Sequence, residues 1–256
     1  MTNALEFAVE RDILIRARVA DVYRYFTDSE RWAAWWGAGS RIDPRPGGEV
    51  FIRYPNAVTA SGKVIEMVPD QRVVISYGYD APGSAVASGG SRVTFTFETE
   101  AGGTRVRLRH ELADAATAAE HVQGWRYQMA IFANVVTGEV HAQALSFADR
   151  FFALWKEKDA ARRLTELAAI ASESLTFGDR YSCTAGIGDL ADHIGAAQRF
   201  MPGIELRRRG EGRSCQGTLV VEWDAVGPDG AEKGRGSQVF DFGPDGKITR
   251  VVGLWV

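Results

Sequence analysis

The chain has 256 residues, enough for one large domain or two ordinary ones, and its 45% hydrophobic and 25% charged content is that of a globular protein. A net charge of −3 offers no basic face to nucleic acid, and no apolar run reaches the roughly 20 residues that span a bilayer, so neither partner is expected. The start, Met1-Thr2-Asn3-Ala4-Leu5-Glu6, has neither the basic opening nor the apolar core of a secretion signal, which makes the cytoplasm the expected compartment. There, Cys183 and Cys215 stand as free thiols, and without a second ligand pair they form no zinc site; no cofactor or metal is expected.

In the first half, Phe7, Val9, Ile13 and Ile15 share one parity while Glu6, Glu10, Asp12 and Arg16 hold the other, the pattern of a strand with one covered face. A short helix follows over Asp21–Thr27, then a second that restarts at Asp28-Ser29-Glu30, carries Trp32, Trp35 and Trp36, and ends at Gly37 and Gly39. Strands are predicted at Glu49–Tyr54, Ser61–Val68 and Arg72–Tyr79, and the Gly- and Ser-rich stretch Asp80–Gly90 reads as a flexible lid.

A primed turn at Gly102-Gly103 sets Glu100 opposite Arg105, Glu98 opposite Arg107 and Thr96 opposite Arg109 on an outer face. The same register sets Phe97 opposite Leu108, Phe95 opposite His110 and Val93 opposite Leu112 on the inner face. His110 is then the one ionisable group in an apolar row, either a core histidine bonded to a neighbour or a polar handle for a ligand. A long helix, about Ala115 to Ala142, carries Val122, Trp125, Met129, Phe132 and Val136 as its apolar stripe. Gly124 costs this helix about 1 kcal/mol relative to alanine, and close approach to a strand is the expected reason.

In the second half, helices are predicted over about Ala144–Lys156 and Ala160–Ser172, the latter capped by Asp159. In the next strand Leu175, Phe177, Asp179 and Tyr181 share a parity, so Asp179 points inward with its apolar neighbours. A buried carboxylate is costly and suits a general base, whereas a carboxylate just after Gly178 also suits a turn, bonding the backbone of Tyr181. A third helix opens at Asp189, and strands at about Ile204–Arg209, Thr218–Val226, Gly234–Phe242 and Ile248–Trp255 close the chain, two of the links being identical Gly-Pro-Asp-Gly turns. The run Arg207-Arg208-Arg209 reads as a sheet edge that discourages further pairing.

Two resemblances follow from these residues. The run Phe7–Ala17, the stretch Asp21–Trp32 with Trp35-Trp36-Gly37, Val64–Val73 and Glu120-His121-Val122-Gln123-Gly124-Trp125 resemble the START-like (SRPBCC) superfamily, in the branch of homologues of the heat-shock chaperone ATPase activator. This resemblance implies a helix-grip fold over residues 1–142, a curled antiparallel sheet around a long helix with a cavity between, and no common catalytic residue. The segments Phe151–Asp159, Leu175–Asp179 and Phe242–Ile248 with Trp255 resemble the SnoaL-like and ketosteroid-isomerase-like members of the nuclear-transport-factor-like family. That implies a cone-shaped α+β barrel over residues 143–256. The isomerase base position falls on Asp179, the tyrosine position on Phe151 and the acid position on Gln238, so one of three functional groups is present and Gln238 can still donate a hydrogen bond.

The expected fold class is thus α+β in two domains. The expected function is binding of a small apolar or aromatic metabolite, with His110, Phe95, Trp125, Phe151, Trp155, Phe177, Tyr181 and Phe240 as lining. Two alternatives stand beside it: a cyclase, isomerase or hydratase with Asp179 as base and Gln238 as donor, and a chaperone-linked interaction protein. A homodimer through the second domain is the remaining partner expectation.

Overall fold

The computed structural model describes residues 4–256, so Met1, Thr2 and Asn3 of the expected leaderless start lie outside the described residues. The chain forms two compact units, one ending at Thr137 and the other beginning at Gly138. Among the described residues no helix is long and apolar enough to cross a membrane.

The first unit holds β1 (Phe7–Ile15), α1 (Val19–Tyr23), a 3-10 turn (Arg24–Phe26), α2 (Ser29–Trp36), β2 (Arg41–Ile42), β3 (Glu49–Arg53), β4 (Thr59–Val68), β5 (Arg72–Tyr77), β6 (Ser91–Glu100) and β7 (Gly103–Leu112), followed by the long α3 (Ala115–Val140), which belongs to it as far as Thr137. Its seven strands are antiparallel in the order β1-β7-β6-β5-β4-β3-β2. Sequence sets the helix starts: Asp28 accepts from the backbone N–H of Glu30 and Arg31, and Asp114 accepts from that of Thr117, filling donors that a helix leaves open. Those amide bonds, with the Thr117 hydroxyl, hold the Asp114 carboxyl below the usual carboxylate range. The stripe of α3 is buried at Trp125, Met129, Phe132 and Val136, while Val122 is half-buried. One end of the interior is closed by rings: Phe26 contacts Trp32, Trp35, Phe95, Phe97 and Phe132 at centroid separations of 4.9 to 5.9 Å.

The β6–β7 hairpin differs from the expected register by two residues. Glu100 faces Gly103, Glu98 faces Arg105, Phe95 faces Leu108 and Val93 faces His110, so the turn is Ala101-Gly102. Gly103 is required for another reason: its φ is +140°, and an added Cβ would lie 2.1 Å from the carbonyl oxygen of Ile15. A slip of two keeps every side chain on its expected face. The ion pairs Glu100–Arg105 and Glu98–Arg107 therefore still form, diagonally, and Arg105 and Arg109 reach on to Asp12 and Glu10 of β1. The stretch expected as a lid is pinned instead, with Tyr79 bridged to Ala87 and Val86 buried.

The second unit contains α4 (Ala144–Leu154), α5 (Ala160–Ile170), β8 (Ala171–Gly178), β9 (Cys183–Ala185), α6 (Ile187–Phe200), β10 (Glu205–Cys215), β11 (Thr218–Val226), β12 (Glu232–Phe242) and β13 (Ile248–Trp255). The strand order is β10-β11-β12-β13-β8-β9, antiparallel except for β13 beside β8. The arginine run lies in the edge strand β10, where Arg208 is half-buried against Asp149. On the inner parity of β12 the sequence reads Gly234, Gly236, Gln238, Phe240, Phe242, which grades the interior from small to large. Phe240 and Phe242 fill one end against Phe151, Phe152 and Ile248. The other end is left for whatever the glycines do not fill.

Candidate functional site

The first unit contains a cavity of about 710 Å³, which Trp35 separates from Phe26. Its wall is aromatic, with Trp35 and Trp36 from α2, Tyr54 after β3, Tyr77 and Tyr79 at the end of β5, and His121, Trp125 and Tyr127 from α3. Gly124 also lines it, and a Cβ added there would meet no atom within 4 Å. The expected close approach of helix to strand is therefore not found, and open space lies beyond Gly124 instead.

The polar groups of this wall are mostly engaged with one another. The hydroxyls of Tyr54 and Tyr77 are 2.7 Å apart, and burial pushes both well above the usual tyrosine value, so both are neutral. The Tyr79 hydroxyl lies 3.4 Å from His121 Nε2, whose Nδ1 is 2.8 Å from the carbonyl of Thr117. Among the described residues, the indole N–H groups of Trp35 and Trp36 are buried without a hydrogen-bond partner.

Of the side chains expected to bind ligand here, Trp125 lines the cavity, and His110 and Phe95 do not. His110 lies behind Trp125, fully buried, in a chain of hydrogen bonds that assigns its tautomer. The Trp125 indole donates to Nδ1 at 2.9 Å, so Nε2 carries the proton and donates to Ser91 Oγ at 2.8 Å, and that hydroxyl donates to the Tyr77 carbonyl at 2.7 Å. Burial, with His121 nearby, pushes His110 down to about 3. Phe95 is sealed against Phe26 and Trp35. Both are supports for the wall. Trp35, Trp36, Tyr54, Tyr77, Tyr79 and His121 were not singled out as ligand contacts, although Tyr77 and Tyr79 share a strand parity that places them on one face.

The second unit has a small cavity of about 60 Å³ between its helices and sheet, besides an open groove of about 680 Å³ along β8 and β13. The small cavity brings together Asp179, Gln238, Trp155 and Phe177 from the expected set, with Trp223 and Trp255 added. Phe151 and Phe240 are core residues that do not line it, and Tyr181 is 69% exposed, lying edge-on to Trp255. Trp223 was legible in principle, since it shares the inner parity of β11 with Leu219, Val221 and Ala225.

Asp179 faces this cavity but is held as a turn. Its Oδ1 accepts from the backbone N–H of Tyr181 at 2.8 Å and of Ser182 at 2.9 Å, and its Oδ2 accepts from the Trp255 indole at 3.2 Å. His193 is held between Phe177 and Trp155, with Nδ1 3.3 Å from Ser182 Oγ. Cys183 and Cys215 are free and exposed, and among the described residues no group of His, Cys, Asp or Glu has the placement to hold a metal ion.

These two units are a helix-grip START-like domain followed by a cone-shaped α+β barrel domain of SnoaL-like form. The model of the family described as "Activator of Hsp90 ATPase homolog 1-like protein" matches residues 16–137, and over those residues the chain belongs to that family. The later half resembles the SnoaL-like family. Among solved structures, an AHSA1-like protein from Rhizobium etli is 31% identical, covers 51% of this chain and 81% of its own, and has a TM-score of 0.42. A SnoaL-like family protein from Agrobacterium tumefaciens is 26% identical, covers 45% of this chain and 98% of its own, with a TM-score of 0.43. The Aha1 dimer from Colwellia psychrerythraea is 20% identical over 48% of this chain and 90% of its own, with a TM-score of 0.41. No curated protein matches the chain.

Proposed function

We propose that the protein binds a small aromatic metabolite in the cavity of its first unit. The observation that carries this reading is the roughly 710 Å³ space walled by tryptophan and tyrosine, which falls within the size range of small-molecule sites. Aromatic rings favour edge and offset contacts with a flat guest, and the wall supplies them from α2, β5 and α3. The unpartnered indoles of Trp35 and Trp36 suit a guest that also carries an acceptor oxygen.

Gly124→Leu provides the test, because the position lines the cavity and a Cβ there meets no protein atom within 4 Å. Native mass spectrometry of freshly purified protein is expected to show a small-molecule adduct, and the wild type to take up the fluorescent probe anilinonaphthalene sulfonate more strongly than the variant. Equal probe uptake by both proteins, with no adduct on either, sinks the proposal.

A second reading places chemistry in the cone, with Asp179 as base and Gln238 as donor. It is favoured by one observation, that both side chains line the same cavity. In this reading Asp179→Asn abolishes turnover of any substrate the protein converts, and an unchanged rate removes it.

A further inference from the structure

The hydroxyls along the wall of the first cavity form a chain whose direction is fixed at one end. His121 Nδ1 lies 2.8 Å from the carbonyl oxygen of Thr117, one turn earlier in α3. A carbonyl only accepts, so Nδ1 carries the proton of the neutral ring and Nε2 is left as an acceptor. The Tyr79 hydroxyl, 3.4 Å from Nε2, therefore donates to it.

A phenol has one proton to give. With its own committed to His121, Tyr79 can only accept from Tyr77, to which it is hydrogen-bonded, the rings being 5.6 Å apart. Tyr77 in turn can only accept from Tyr54, whose hydroxyl is 2.7 Å away. Every proton points toward His121, and the Tyr54 oxygen at the head of the chain keeps lone pairs but no free proton. The backbone fixes this row. The Tyr79 N–H donates to the Val86 carbonyl at 2.8 Å, and Gly78, between Tyr77 and Tyr79, lies so close to the Ala87 carbonyl that an added Cβ would collide with it.

A donor stands beside that acceptor. Among the described residues the indole N–H of Trp36 is buried without a partner, and Trp36 lies edge-on to Tyr54 with ring centroids 5.9 Å apart. A guest group next to these two residues meets an acceptor and a donor together. A hydroxyl answers both, accepting from the indole and giving its proton to Tyr54, whereas a carbonyl or ether oxygen leaves Tyr54 unanswered. Granted the binding proposed above for this cavity, we propose that it takes an aromatic guest through a hydroxyl that donates to Tyr54, and that His121, acting through the tyrosines, is the positioning residue that sets this preference.

The test is a fluorine-NMR titration of the full chain near neutral pH with para-fluorophenol and with para-fluoroanisole, which has the same ring and oxygen but no proton to give. Wild type is expected to prefer the phenol by about tenfold, the size of one hydrogen bond. In Tyr79→Phe and in His121→Phe the chain has no fixed direction and Tyr54 is free to turn its proton to the guest, so the preference is expected to fall to about twofold or less. The ratio within one protein cancels a general loss of affinity, and a merely structural role for either residue leaves it unmoved. Equal binding of both compounds to wild type overturns this inference and leaves the cavity a binding site, and a tenfold preference kept in either variant overturns it too. Binding of neither compound also overturns it, and uptake of anilinonaphthalene sulfonate then tells whether the cavity reading falls with it.

Discussion

The indole nitrogen of Trp125 and Nδ1 of His110 are 2.9 Å apart, and this one bond joins the cavity wall to the core behind it. It requires a neutral imidazole, because a protonated Nδ1 has no lone pair to offer. The histidine is therefore a fixture of the folded state, and acid attacks the fold through it.

The pH dependence follows from the sign of the shift. His110 is held down at about 3 in the folded protein, against an ordinary value near ~6.5 in the unfolded chain. Between those values the unfolded chain binds the extra proton, so the stabilising contribution is full above about pH 6.5 and is lost as the pH falls toward 3. Urea unfolding of the first unit is expected to lose on the order of 2 kcal/mol between pH 7 and pH 4.5 through this group. His110→Gln, which lacks the titration, is expected to show a correspondingly shallower dependence.

Gly124 separates stability from binding. With open space beyond its Cα, Gly124→Ala is expected to raise stability by up to about 1 kcal/mol through helix propensity, measured as a higher urea midpoint with an unchanged slope. A loss of stability instead would show that the cavity closes on that residue in solution.

Gly103 is expected to behave in the opposite way. At φ +140° with the Ile15 carbonyl 2.1 Å from any added Cβ, Gly103→Ala must part the start of β7 from the end of β1. A cost of more than about 2 kcal/mol is expected by denaturant unfolding, and a cost below about 0.5 kcal/mol would contradict this packing.

In the second unit, Arg163 is buried and donates to the carbonyls of Ala191 and Glu157 at 2.8 and 2.6 Å. Gly195 makes way for it, since a Cβ there would lie 2.6 Å from Nη2. Gly195→Ala is expected to destabilise by about 1–3 kcal/mol, visible as a lowered melting temperature.

Asp179 is tested as a turn by two variants. Asp179→Asn retains an acceptor for the amides of Tyr181 and Ser182 and is expected to stay within about 1 kcal/mol of wild type, whereas Asp179→Ala loses the acceptors and costs about 1–2 kcal/mol more. Equal stability of the two variants would show that the turn does not depend on the carboxylate.

What the sequence settled by itself is parity. Alternation along β6, β7, β11 and β12 identifies the inward side chains, and because the strand repeat is two, even a two-residue slip in the β6–β7 hairpin leaves the inner row apolar and the outer row charged. The capping aspartates, Asp28 and Asp159, are legible for a similar reason, since their effect is spent within one helical turn. Tertiary structure alone decided which inward residues face a void. His110 and Trp125 are both buried, yet only one borders the cavity, and Phe240 and Gln238 share a face of β12 while only the polar one reaches the open end. A void is the space that no side chain fills, so its place depends on the volumes of neighbours brought together from distant parts of the chain.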